Sequence, residues 1–156
     1  MFKVSETAII DRPPVEVFPV AADPQTQLEW DPGTLKSVEK LTPGPLGQGS
    51  RYRGNFKGFG TMEYEFAEYE EPRRFTHKTT MRMGKMRHVF TLEPVAQGTR
   101  LTQEGYLEPN LLGRIMWPMM SRMLRSRFRL IVSEVSQYLE GGAGADAKGT
   151  QNSSSN

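Results

Sequence analysis

From Leu35 to Leu107 the sequence keeps a period of two, and this alternation limits the possible folds more than any other feature. Tyr52, Gly54 and Phe56 alternate with Arg51, Arg53, Asn55 and Lys57. After the Gly58-Phe59-Gly60 turn, Met62, Tyr64 and Phe66 alternate with Thr61, Glu63 and Glu65. Phe75, His77, Thr79 and Met81 oppose Thr76, Lys78, Thr80 and Arg82. Met86, His88, Phe90 and Leu92 oppose Arg87, Val89, Thr91 and Glu93, with the intervening turn expected at Met83-Gly84. Leu101, Gln103, Gly105 and Leu107 oppose Arg100, Thr102, Glu104 and Tyr106. Successive side chains of a strand point to opposite faces, so each run carries one mainly apolar and one mainly polar face. That is the pattern of an antiparallel sheet covered on one side only. With Lys3 to Ile10 and Leu35 to Leu41 added, the sheet has seven strands.

An apolar sheet face needs a cover, and one segment is long enough to supply it. Leu111 to Glu140 is helical in pattern, with a kink or restart expected at Pro118. At about 100° per residue, Leu124, Phe128, Ile131, Val132, Val135 and Leu139 gather on one arc. Arg122, Arg125 and Arg129 gather on the other side. Between the first two strands, Asp11-Arg12-Pro13-Pro14 opens a short helix carrying Val15, Val17, Phe18 and Ala21, because proline is tolerated at a helix start. A second short helix carries Leu28 and Trp30 and stops at Pro32-Gly33. These elements define one α+β domain over residues 1–140. The remaining 141–156, GGAGADAKGTQNSSSN, contain no large apolar residue and are expected to be a disordered tail.

Composition removes several classes of function. The chain has no cysteine and two histidines, so a dedicated His/Cys metal site is excluded and no metal is expected. The absence of cysteine also fits a reducing cytoplasm. A formal charge of +2 gives little reason to expect a nucleic-acid partner. No segment reaches the roughly 18 apolar residues of a membrane span, and the N-terminus lacks the apolar core of a signal peptide. No phosphate loop, dinucleotide fingerprint or nucleophile elbow is present, and no cofactor is expected.

Several stretches nevertheless fall in a telling order. They are Asp11 to Phe18 after the first strand, Trp30-Asp31-Pro32 in the second helix, Leu41 to Gly44 and Gly47 to Tyr52. Glu70 to Phe75, Gly98 to Thr102 and the closing Tyr138-Leu139-Glu140 complete the series. Spanning residues 3 to 140, they resemble the superfamily of START-type lipid-transfer domains, pollen-allergen-like proteins and polyketide cyclase/dehydratases (SRPBCC). The resemblance implies a helix-grip fold, in which a curved seven-stranded antiparallel sheet wraps around the C-terminal helix and leaves a pocket between them. These are turn and packing residues, so they bear on fold and leave function open.

Any chemistry must then come from polar groups on the apolar face. His77 and His88 share the inward phase of their strands, as diagonal neighbours if the turn is Met83-Gly84. Imidazole titrates near neutral pH, so the pair suits ligand contact or proton transfer as a catalytic acid and base. It equally suits two core histidines satisfied by Thr79, water or backbone. Gln103 has the inward phase too, and would bond either a ligand carbonyl or water at an open strand end. Arg127 flanks the apolar arc of the helix, where it would meet a ligand carboxylate or phenolate, snorkel to solvent, or pair with a strand glutamate.

The candidate binding surface therefore combines Trp30 from the second helix with Tyr52, Phe56, Met62, Tyr64 and Phe66. From the next two strands it takes His77, Thr79, Met81, His88 and Phe90. Gln103 belongs to the last strand, and Met120, Leu124, Arg127 and Phe128 to the long helix. Flexible thioethers suit a pocket that adapts to varied apolar ligands. Three functions remain open: a binder of a small lipid-like or aromatic polyketide-like molecule, a cyclase/dehydratase-type enzyme, or a protein-interaction or membrane-contact module acting through the arginine row of the last helix. Ile115 to Met120, flanked by Arg114 and Arg122, is read as a lid at the pocket mouth in preference to a membrane-touching patch. Oligomeric state is not encoded in any of these features.

Overall fold

In the computed structural model the backbone is described for residues 1–153 and the side chains for residues 1–141. The expected tail, 141–156, thus lies largely outside the residues whose side chains are described. The elements follow in the order β1 (Phe2–Ile10), α1 (Pro14–Ala22), α2 (Pro24–Trp30), β2 (Leu35–Lys40), β3 (Arg51–Phe56), β4 (Gly60–Glu70), β5 (Arg74–Met81), β6 (Gly84–Val95), β7 (Gly98–Pro109) and α3 (Leu111–Ser153). The seven strands form one antiparallel sheet in the order β1-β7-β6-β5-β4-β3-β2. This is the helix-grip arrangement, with α1 and α2 inserted between the two edge strands.

Local chemistry explains the boundaries. Pro14 and Pro24 open α1 and α2, and the Asp23 side chain caps α2 by accepting from the Gln25 N–H at 2.9 Å. Asn110 caps α3: its Oδ1 accepts from the Gly113 N–H at 2.9 Å, while its Nδ2 donates to the Arg82 carbonyl at 2.7 Å. The start of the long helix is thereby tied to the β5–β6 turn. α3 runs unbroken through Pro118, so the expected restart is absent. The missing Pro118 N–H removes a single helical hydrogen bond, at a turn where the flanking residues are not buried.

The β5–β6 turn is Arg82-Met83, one residue earlier than the alternation suggested, and Met81 pairs with Gly84. Gly84 has φ +134°, and a Cβ there would fall 2.2 Å from the Glu108 carbonyl oxygen on β7. The glycine therefore begins β6 rather than forming the turn, and every cross-strand partner along the hairpin shifts by two residues. His77 stands opposite His88 and Thr79 opposite Met86, so the two histidines are direct cross-strand partners and not diagonal ones.

The sheet's inner face carries two packed clusters. One gathers Phe18, Phe66, Phe75, Phe90 and Val135 beneath α1 and the later turns of α3. Phe75 and Phe90 stack there at 4.3 Å between ring centroids. The other gathers Val4, Leu107, Met120, Leu124 and Phe128, with Phe2 stacked on Trp117 at 4.8 Å. The outer face is less uniformly polar than the alternation implied. Thr76 and Val89, paired in mid-sheet on the outward phase, are both buried. They lie in a cross-strand row between Glu68 and Glu104, whose ion pairs with Arg74 and Lys3 crowd the same surface.

Candidate functional site: a cavity beneath the long helix

A cavity of about 180 Å³ remains where the two clusters meet. Strands β3 to β6 form its floor and α3 its roof, and α1 and α2 close one side with Ala21, Gln27 and Trp30. Most of the expected residues reach this wall. Trp30, Phe56, Met62 and Tyr64 line it, as do His77, Thr79, Met81, His88 and Phe90. From α3 come Met120, Leu124, Arg127 and Phe128.

Three expected residues do not line it. Tyr52 and Phe66 are consumed in packing, edge to face at 5.8 Å, because the inward phase of each strand is longer than the cavity. Gln103 is fully buried and donates from Nε2 to the Phe128 carbonyl at 2.8 Å, so it ties β7 to the middle of α3. Other lining residues lay outside the sequence expectation: Ala21, Gln27, Thr34, Phe59, Met86, Met123 and Ile131. Met86 and Ile131 carried the right periodic phase. Gln27, Thr34 and Phe59 sit in a short helix and two connections, where no period operates.

The wall is mainly apolar, and besides Gln27, Thr34, Thr79 and Arg127, which bond to other protein groups, it carries an arc of aromatic polar groups on three neighbouring strands. The ring centroids of Tyr64 and His77 are 5.1 Å apart, and those of His77 and His88 are 6.3 Å apart at nearly perpendicular planes. His88 is sandwiched between Phe90 at 4.0 Å and Phe128 at 4.5 Å. Gly105, opposite His88 on β7, makes that sandwich possible: a Cβ there would stand 3.1 Å from the Phe128 ring. The Tyr64 hydroxyl and the Nε2 atoms of His77 and His88 are buried, and none has a hydrogen-bond partner among the described residues. Thr79, by contrast, satisfies itself by donating to the Glu63 carbonyl at 2.7 Å.

Burial fixes the protonation of this arc. Desolvation drives His77 down to about 4. It also lowers His88 well below the usual imidazole range, and His77 and Arg127 add to the effect. The Gln103 side chain stands near enough to oppose that shift, yet its amide oxygen meets no donor at good geometry. Burial likewise raises the Tyr64 phenol far above its ordinary value. All three groups are neutral at pH 7.

Arg127 is engaged by its own protein, and by the end of α2 rather than by a strand glutamate. Its guanidinium holds the fully buried Asp31 carboxylate through two nitrogens, one at 3.2 Å, and donates to Thr34 Oγ1 at 3.0 Å. Gln27 donates to the same carboxylate at 3.2 Å. Burial and the neighbouring Asp31 raise the Glu134 carboxyl to about 7. A separate, larger concavity of about 1210 Å³ lies on the outer face of the sheet. Its wall is crossed by charged side chains such as Arg51 and Glu63, which pair with each other, and neither histidine reaches it. The cavity under α3 is the better-built site.

An open antiparallel sheet gripping a long helix over a lined cavity defines a helix-grip protein. The chain belongs to the family described as polyketide cyclase / dehydrase and lipid transport, whose model matches residues 1–140. No curated protein matches the chain by sequence. Among solved structures, TTHA0849 from Thermus thermophilus is similar with a TM-score of 0.71 and 14% identity, over 90% of this chain and 99% of that one. MLL2253 from Mesorhizobium loti gives 0.69 and 16%, over 89% and 97%. Ara h 8.0201 gives 0.66 and 13%, over 90% and 98%. At these identities the likeness shows the fold.

Proposed function

We propose that the chain binds a small, uncharged, mainly hydrophobic molecule bearing a hydroxyl or carbonyl oxygen, in the cavity beneath α3, and carries it unchanged. The observation behind this reading is the arc of Tyr64, His77 and His88, whose three polar atoms are buried without partners among the described residues, inside a mainly apolar wall. Leaving such groups unsatisfied costs about 1–3 kcal/mol each, and a ligand oxygen placed among them recovers part of that cost. A phenol or alcohol donates to a histidine nitrogen, whereas a carbonyl accepts from the tyrosine hydroxyl. A charged ligand would find no free counter-charge, since the guanidinium of Arg127 is already held by Asp31.

At about 180 Å³ the cavity is smaller than the roughly 300–1,000 Å³ of drug-sized sites. Five methionines, Met62, Met81, Met86, Met120 and Met123, line it, and their unbranched side chains allow it to widen. The family description joins cyclase chemistry to lipid transport. Burial favours the second role here, because a histidine held near pKa 4 is a weak base at neutral pH.

Native mass spectrometry of the full chain, after exposure to a total lipid extract and dialysis, tests the reading. The expected adduct is an uncharged apolar molecule containing oxygen, absent from A21L, in which a larger side chain occupies the cavity wall. Retention only of anionic species, or equal retention by A21L, would overturn it.

A further inference from the structure

The first turns of α3 present an apolar face that nothing among the described residues covers. Leu111, Ile115, Met119 and Met123 recur at intervals of four and are 75%, 69%, 61% and 41% exposed. Leu112 lies beside them, also exposed. A lid would bury this stretch. Instead only Met120, Met123 and Leu124 reach the cavity wall, while Ile115 and Met119 point outward. At about 100° per residue, Arg114, Arg122 and Arg125 form a row along one edge of the exposed arc. Residues 111–133 hold Arg114, Arg122, Arg125, Arg127 and Arg129 and no acidic residue. Arg127 pairs with Asp31 and Arg129 with Glu6, but the other three have no ion-pair partner among the described residues.

We infer that this face of α3 docks on an anionic lipid bilayer, with the helix lying in the interface. An apolar stripe edged by basic residues sinks into the boundary between headgroups and acyl chains, while the cations meet lipid phosphates. A second copy of the chain fits the face poorly. A two-fold contact brings each stripe against itself and sets the three arginines against their own counterparts, with no carboxylate to pair them. Among the described residues no helix is long and apolar enough to cross a membrane, so the contact is peripheral. Docking would turn the cavity wall at Met123 toward the bilayer, giving an apolar ligand a route that avoids water. The docking surface itself stands whether or not the cavity holds a ligand.

Co-sedimentation of the full chain with phosphatidylcholine vesicles, with and without phosphatidylglycerol, tests the inference. Wild type is expected to bind the anionic vesicles and to be released by salt. I115S/M119S changes only exposed side chains, so its melting temperature should be kept while vesicle binding falls by roughly tenfold or more. R122Q/R125Q should lose roughly 25-fold on anionic vesicles and nothing on neutral ones. Failure of wild type to bind anionic vesicles would overturn the inference. So would binding that I115S/M119S leaves intact, or a wild-type dimer that the same variant converts to a monomer.

Discussion

His77 and His88 face each other across the β5–β6 ladder with ring centroids 6.3 Å apart, and the Nε2 of each is buried with no partner among the described residues. The consequence is a definite dependence of stability on acid. The unfolded chain takes up a proton at His77 near pH 6.5, whereas the folded chain resists until about pH 4. The full stability contribution is therefore present above pH 6.5 and declines as the pH falls through that window. For His77 alone the loss reaches about 3 kcal/mol at 1.36 kcal/mol per unit. Urea midpoints measured between pH 4 and 7 should show it, and H77F/H88F should flatten the slope. An unchanged slope in that variant would remove the histidines from the explanation.

Glu134 acts in the opposite direction. Its carboxyl is raised to about 7 from 4.5, first by burial and then by Asp31. The folded chain keeps a proton that the unfolded chain releases, so stability falls as pH rises from 4.5 to 7 and levels off above. Histidine and glutamate together give a stability maximum inside the mildly acidic range. E134Q should lose the upper limb and become more stable than wild type at pH 8. Identical profiles above pH 5 would contradict the assignment.

The ion pair of Arg127 and Asp31 joins α3 to the end of α2, with the carboxylate fully buried. Removing one partner strands the other, so R127M should destabilise by about 3 kcal/mol. D31N/R127M should recover much of that loss, because the double change leaves no buried charge behind. Additive losses in denaturant melts of the singles and the double would show that the two residues do not act together.

Gly105 leaves room for the Phe128 ring against His88. A methyl group there would stand 3.1 Å from that ring and 3.3 Å from the Met86 thioether methyl. G105A should cost about 1–2 kcal/mol by overpacking and should push Phe128 into the cavity, lowering occupancy by any ligand. A crystal structure of the variant with Phe128 unmoved would refute the second effect.

Much of this was legible because alternation is local. Met62, Tyr64, Phe90 and Phe128 were assigned to the inner face by spacing alone, and the structure places them on the cavity wall. Spacing could not place a turn to within one residue, and the position of Gly84 decided whether the two histidines stood opposite or diagonal. It could not name the partner of Arg127 either: the carboxylate is Asp31, 96 residues away at the end of α2, and not a strand glutamate. Gln103 shows the same limit from the other side: the phase was right, but a backbone carbonyl of α3 took its amide nitrogen. Periodicity identifies a face; long-range polar pairing depends on how faces meet.

The central claim is that a ligand oxygen completes the arc of Tyr64, His77 and His88. Long-range nitrogen NMR of the histidine side chains, recorded while 2-naphthol is added to the full chain at pH 7, tests it most directly. Saturable shifts are expected at the ring nitrogens of both histidines, and much smaller shifts with naphthalene, which is equally apolar but offers no oxygen. Equal shifts with both compounds, or none with 2-naphthol, would contradict it.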